Sequence, residues 1–370
     1  MSTAPAVESP EATETVLEAP PAVRTRRLGL PQLLGLVGLT VLALIPVPFG
    51  DFGFFVGQYA LVYAMLGLSV TVVTGYAGLI SLMPYSFAGI GAVMAGNVMA
   101  NWGWPFWLAI PVAALMTMPI AVGVGMVSVR LKGLYLAIAT LTISTALGET
   151  FFRWDRATGG RTGWTVERPT LGPLSFSTDL AFYLLCLAAV LLLVWMIEGL
   201  RTSRLGRAML AVRDNELEAQ ALGINVYKTK LTAFVLGGLV AGFGGAFLAV
   251  LLNVVSPSAF QSPLSEVTSI LLVTLVVIGG IDRAWGAFFG AIILVVNQQV
   301  GAGAEFFFPF LGAWVAIGLM FFLLRVPGGV VQGTKIQFEL IKRRPLVGIV
   351  TSLLIVGINL GLAVLFIKAS

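Results

Sequence analysis

Histidine is absent from this chain, and cysteine occurs once in 370 residues, at Cys186. Because Cys186 lies inside an apolar run, the sequence offers neither a disulfide framework nor a thiolate metal site. It also lacks a GxxxxGK(S/T) phosphate loop and any His, Cys or carboxylate cluster at metal-ligand spacing. The expectation is a chain with no catalytic residue, no metal and no cofactor of its own. Charge is scarce too. Lys, Arg, Asp and Glu make up 11% of the residues, against roughly 25% in soluble domains. Apolar residues make up 58%, so most of the chain cannot be water-facing surface. Alternating apolar and polar residues are missing from the apolar runs, which excludes a closed β-barrel.

What is present is a series of continuous apolar runs, each near the roughly 17–25 residues that cross a bilayer core, separated by Gly, Pro and polar breaks. The fold class expected is all-α, a polytopic transmembrane helical protein of about ten to eleven spans. The predicted spans are Leu28–Phe49, Phe54–Thr74, Tyr85–Ala100, Phe106–Val129, Leu134–Phe152 and Leu180–Ile197. They continue with Leu231–Asn253, Val267–Gly279, Ala284–Val300, Phe308–Leu324 and Leu346–Ile367. Placing the N-terminus in the cytoplasm puts most Lys and Arg inside, including Arg201, Arg204, Arg207, Arg213, Lys228 and Lys230, as the positive-inside rule requires. The basic pI follows from that orientation and needs no nucleic acid. Residues 1–27, rich in Pro, Ala, Thr and Glu, read as a disordered cytoplasmic tail rather than a secretory signal. Residues 28–330 form the transmembrane domain, 331–345 an amphipathic cytoplasmic linker and 346–367 an additional C-terminal span.

Two places break the apolar pattern with Gly and Pro but little charge. Gly75, Tyr76, Gly78, Ser81, Pro84 and Tyr85 mark the first, and Gly279 and Gly280 open the second. They are candidate broken or re-entrant segments lining a path, since irregular backbone at membrane depth survives only where protein or a water-filled cavity satisfies it. The long connection 153–179 is expected to form an external platform. Its Arg153, Arg156, Arg161 and Arg168 are candidates for docking an acidic receptor surface, with interfacial anchoring by Trp154 and Trp164 as the competing account. Glu149 is expected to pair with Arg153 one turn later, and Glu266 and Glu305 to sit exposed at outer span ends.

The charged stretch 201–230 is the exception in an almost uncharged chain. Asn215 followed by Glu218 has the form of a capping box, and Gly223 followed by Ile224 has the form of a Schellman stop. A helix of about two turns is predicted between them, with Leu217, Ala221 and Ile224 on one apolar face. Upstream, Leu205, Met209 and Val212 form a stripe that suits a helix lying on the membrane surface. The bland alternative is a solvated positive-inside loop, but such a loop needs no helix capped at both ends.

The segment GRAMLAVRDNELEAQALGINVYKTKLTAFVLGGLVAGFGGAFLA resembles the cytoplasmic loop and following helix of LivM-type permease subunits of branched-chain amino acid ABC importers. GYAGLISL, RLKGLYLAIATLTIS, the TGG at Thr158–Gly160 and GGIDRAWGAFFGA agree in order, so the resemblance runs from about Leu28 to Val330. It implies a type II ABC importer-like permease in a bacterial cytoplasmic membrane. The partners implied are a second, LivH-type permease, two ABC ATPases that hold ATP and magnesium, and an external or periplasmic substrate-binding protein. It places the ATPase-coupling residues at Arg213, Asp214, Asn215, Glu216, Glu218, Ala219, Ala221, Leu222 and Gly223. Two departures stand out: Met83-Pro84-Tyr85 replaces the family's usual Gly-His or Gly-Gln, and an extra span follows Val330. The cargo implied is a branched-chain amino acid, with urea, amides or aromatic and small carboxylates as alternatives. An ATP-independent secondary transporter is the alternative of another class.

Overall fold

A computed structural model describes residues 50–304 apart from 132, 172, 173 and 262. The expected tail, the spans Leu28–Phe49, Phe308–Leu324 and Leu346–Ile367, and Glu305 lie outside the described residues.

The described chain is helical almost throughout. Helix α1 (Gly50–Val70) runs into a π-helical turn, Thr71–Tyr76, and is followed by α2 (Pro84–Trp102), α3 (Phe106–Ser128) and α4 (Leu134–Glu149). A platform of short elements comes next: α5 (Asp155–Thr158), β1 (Trp164–Thr165) and the hairpin of β2 (Thr170–Leu171) with β3 (Leu174–Ser175). Then come α6 (Asp179–Thr202), α7 (Arg204–Asp214), α8 (Glu216–Ala221) and α9 (Val226–Leu252). After β4 (Val254–Val255) the described chain closes with α10 (Leu264–Gly279) and α11 (Ala284–Ala304).

Among the described residues five helices are long and apolar enough to cross a membrane: α1 with its π turn, α3, α4, α6 and α9. The pair α10 and α11 passes the same test jointly but is bent by 114° at its break, so the two spans expected there are a single broken or re-entrant unit or a tight pair. Helix α2 forms where the span Tyr85–Ala100 was expected and is more polar than those five helices. The reason is its position. Nearly all of its first fifteen residues are buried by protein, so it has no lipid-facing surface to make apolar.

Small residues set that position. A Cβ added to Gly245 of α9 would lie 2.1 Å from the Ala88 carbonyl oxygen, and one added to Gly91 of α2 would lie 2.5 Å from that of Gly242. The α2 and α9 backbones touch because these side chains are missing, the packing mode of helices that gain nothing from burying oil in oil. By contrast, Leu108, Leu115, Met116, Met118 and Met126 of α3 face outward, as do Leu184, Leu192 and Trp195 of α6. Those faces suit a hydrocarbon solvent.

At one end of the bundle β1 pairs antiparallel with β4, Trp164 opposite Val255 and Thr165 opposite Val254. Asn97 Nδ2 of α2 donates to the Ala157 carbonyl at 3.0 Å, and the Trp164 indole donates to the same oxygen at 3.0 Å. The expected external platform is therefore ordered. The opposite end carries α7 and α8.

Candidate functional site

Helix α8 begins where the sequence chemistry says it must. Asn215, in extended backbone geometry, accepts from the N–H groups of Leu217 (3.0 Å) and Glu218 (3.4 Å), satisfying two donors that a helix start leaves open. The capping box is modified. The Glu218 carboxylate receives the Asn215 side-chain amide at 2.7 Å, because the Asn215 backbone N–H is already donated to Ala211 at the end of α7. At the other end the Ile224 N–H reaches the Ala219 carbonyl and the Gly223 N–H reaches Gln220, both at 2.9 Å. With Gly223 at φ +79°, this is a Schellman motif.

That motif corrects the predicted apolar face. Its hydrophobic contact pairs the residue after the glycine with the third-last helical position, so Ile224 joins Ala219 rather than Leu217 and Ala221. Ala219, 1% exposed, sits with Val212, Val226, Ala211 and Ile224 in a small core beneath the helix. Leu217 and Leu222 are left pointing out, 77% and 79% exposed. Ala221, Gly223, Asp214 and Glu218 are exposed beside them.

The upstream stripe is corrected as well. Met209 and Val212 of α7 are buried by the protein itself, against α6, α9 and the π turn, rather than resting on a bilayer surface. Ser203 caps α7 by accepting from the Gly206 N–H at 3.1 Å. Only this one residue separates α6 from α7, which forces the two helices together at Gly206. Beneath α8 a buried ion pair joins it to α9: Lys230 Nζ meets Glu216 Oε1 at 2.6 Å, with the lysine side chain 4% exposed.

Both helix breaks come to this same end. Gly75 is packed against Ile281 of the second break, where an added Cβ would meet the Ile281 carbonyl oxygen at 2.2 Å. Tyr76 is fully buried, with its hydroxyl 3.5 Å from the Ile197 carbonyl of α6. Gly279 is pressed against Gly286 and Gly290 across the bend, and Gly280 takes φ +114°. Glu198 of α6 accepts from the Ala284 N–H at 3.3 Å and lies 3.8 Å from the Arg283 guanidinium, which caps the start of α11. Arg213 is bonded to both breaks. Its guanidinium donates to the Gly75 carbonyl and, at 2.8 Å, to Asp282 Oδ1, while its stem lies against Gly78. Asp282 carried no sequence expectation.

From there the first break climbs into the bundle. The Leu79 N–H bonds Val73 O, Thr74 Oγ1 bonds Leu79 O, and the Leu82 N–H is taken by Thr140 Oγ1 at 3.0 Å. Pro84 then starts α2, filling a first-turn position that needs no N–H. One residue after Tyr85, whose ring lies 5.3 Å from that of Phe260, Ser86 Oγ meets Ser144 Oγ at 2.6 Å and Ser265 Oγ at 3.1 Å. All three serines are buried. Ser144 lies late in α4 and Ser265 in the first turn of α10, so α2 begins inside the bundle and the connection 77–83 is non-helical backbone at depth. Ser81 is buried within it. Sequence reasoning found the break from its Gly and Pro but missed the serines, whose types are ordinary in any helix.

At the opposite end the four docking candidates divide. Arg153 pairs with Glu149 at 2.7 Å as expected, and Arg168 pairs with Asp179 at 2.5 Å while donating to Ser177 O. Arg156 is exposed; the side chain of Arg161 lies outside the described residues. Glu266 is half-buried and accepts from Thr145 at 2.7 Å, rather than standing free as expected.

A family model described as "Branched-chain amino acid transport system / permease component" matches residues 54–324. The chain is 31% identical over 294 residues to the high-affinity branched-chain amino acid transport system permease protein LivM of Escherichia coli K12, covering 73% of this chain and 68% of the relative. It is 29% identical over 269 residues to LivM of Salmonella typhimurium LT2, covering 66% and 62%. The ribose import permease protein RbsC of Escherichia coli K12 is 28% identical over 245 residues, 64% of this chain and 73% of the relative. No solved structure matches the chain. The match spans the helices, both breaks and the capped segment between α6 and α9, and the chain belongs to the family of membrane permease components of branched-chain amino acid transport systems.

Proposed function

We propose that α8 is the seat of an ATPase subunit, and that this chain works with a second, LivH-type permease, two ATPases and an external binding protein as an ATP-driven importer. The observation that carries the reading is the pair Leu217 and Leu222. Two leucines more than three-quarters exposed on a helix that is capped at both ends and anchored by a buried ion pair are costly in water unless a partner covers them. The positive-inside rule places this end in the cytoplasm, where ATP is, and the platform of α5 and β1–β4 outside, where Arg156 and Arg153 face a docking receptor.

The cargo proposed is a branched-chain amino acid or a similar small solute. Support comes from the named relatives, of which the LivM proteins match the longest stretch; ribose import in another relative shows that one permease architecture serves chemically different solutes. The test has two arms. Leu217→Arg with Leu222→Arg is expected to abolish co-purification of the ATPases while leaving the permease in the membrane; unchanged co-purification rejects the seat. A thermal-shift screen of the cognate binding protein identifies the cargo, and stabilisation by urea, an amide or an aromatic carboxylate but not by leucine, isoleucine or valine rejects the cargo assignment.

A further inference from the structure

Two helix breaks and the proposed motor seat share one end of the molecule, and one residue beside the seat, Arg213, bonds to both breaks. Arg213 is the penultimate residue of α7, two residues before the Asn215 cap of α8. Its guanidinium holds the Gly75 carbonyl in the π turn and the Asp282 carboxylate in the turn between α10 and α11. Its Cγ occupies the space that a Cβ on Gly78, at φ +69°, would need, with only 2.7 Å between them. These contacts bridge sequence separations of 138 and 69 residues. Both bonds leave one terminal nitrogen, Nη1, which divides its two N–H groups between the two acceptors.

The remaining groups at this junction tie the two breaks together. Gly75 abuts Ile281, and the Glu198 carboxylate ties Ala284 and Arg283 to the end of α6. The chain segment 77–83, whose Gly78 meets Arg213, leads on to Ser86 with its partners Ser144 and Ser265. Resting on the coupling reading above, we propose that Arg213 is a positioning residue that joins α8 to both helix breaks, so that displacement of the ATPase seat moves the π turn at Gly75 and the turn at Asp282 together. Asp282 acts as its second anchor. In this proposal both residues act through the breaks they bond, and the exposed leucines of α8 remain the seat.

The experiment uses the assembled importer in lipid nanodiscs with Arg213→Met, which keeps the stem against Gly78 and removes the guanidinium, Arg213→Lys and Asp282→Asn. Hydrogen exchange of 75–83 and 280–283 is measured with and without ATP and vanadate, beside ATP hydrolysis and leucine uptake per ATP. Asp282→Asn is expected to hydrolyse ATP within twofold of the parent, and Arg213→Met to retain the ATPases. Its ATP-dependent exchange change at both breaks, and its uptake per ATP, are expected to fall at least fivefold, with Arg213→Lys intermediate. Asp282→Asn is expected to lose the response at 280–283 and, combined with Arg213→Met, to add nothing further. A full response in Arg213→Met, or additive effects in the double variant, overturns the proposal while leaving the ATPase seat intact. Loss of the ATPases from Arg213→Met also overturns it, because Arg213 would then belong to the seat itself. If the parent chain captures no ATPase, the coupling reading fails and takes this proposal with it. Should Arg213→Met fail to accumulate, Asp282→Asn, altered at a largely exposed side chain, decides by the same criterion at 280–283.

Discussion

Replacing Glu216 by alanine removes the one carboxylate 2.6 Å from an ammonium that is 4% exposed, and so tests whether α8 is a rigid lever or a tethered loop. Breaking a buried ion pair on one side costs about 3–5 kcal/mol, since the remaining charge is stranded out of water. Glu216 is itself 27% exposed, so the loss falls on the lysine. It is expected to appear locally. At about 1.4 kcal/mol per factor of ten, the opening equilibrium of α8 rises roughly a hundredfold to several thousandfold. Amide exchange of Leu217 to Leu222 reads this directly, through the hydrogen bonds of Ala219, Leu222 and Ile224. Lys230→Met, which removes the buried charge and keeps much of the stem's volume, is expected to cost far less, and the double variant Glu216→Ala with Lys230→Met to recover most of the protection. If Glu216→Ala leaves exchange at 217–222 unchanged, or if Lys230→Met fails to rescue it, the ion pair does not hold α8 and the lever argument is wrong.

Other outcomes follow from the same geometry. Asn215→Ala removes the acceptor of two N–H groups and is expected to destabilise α8 by about 1 kcal/mol, seen as a roughly fivefold rise in exchange at Leu217 and Glu218. Gly223→Ala forces a side chain into φ +79° and is expected to cost about 1–2 kcal/mol, whereas Gly199→Ala, with open space at its Cβ, is expected to be neutral by thermal unfolding in detergent. Ser86→Ala is expected to lower thermal stability more than Ser144→Ala, because Ser86 is the hydroxyl shared by both partners and its loss strands two buried groups at about 1–3 kcal/mol each at most. Gly245→Leu is expected to eliminate the folded protein, as its Cβ alone already meets the Ala88 carbonyl; recovery of well-folded protein would mean that α2 and α9 do not pack as described.

Much of the site was legible in local chemistry. The Asn215 cap and the Gly223 stop act within a handful of residues, so their types and spacing are sufficient to place α8, and the Gly and Pro of 75–84 and the Gly of 279–286 interrupt helices for reasons contained in their own backbones. The inward face of α8 was not legible by periodicity, because six residues make too few turns to define a stripe and the Schellman contact chose Ala219 instead. That α2 is enclosed by protein along most of its length was not legible, since sequence registers apolar length but not what lies around it.

By itself, the sequence determined that this is a polytopic helical membrane protein with two interrupted helices and one capped, charged segment. Those properties rest on hydropathy, capping and backbone sterics, all of which are short-range. Only the tertiary structure decided that Arg213 reaches Gly75 and Asp282, that Lys230 is buried on Glu216, and that Ser86 meets Ser144 and Ser265 across separations of 58 and 179 residues. Such pairings depend on the rotation and depth of each helix relative to the others. That is set by which small residues let backbones touch, a collective outcome of packing that no local pattern records.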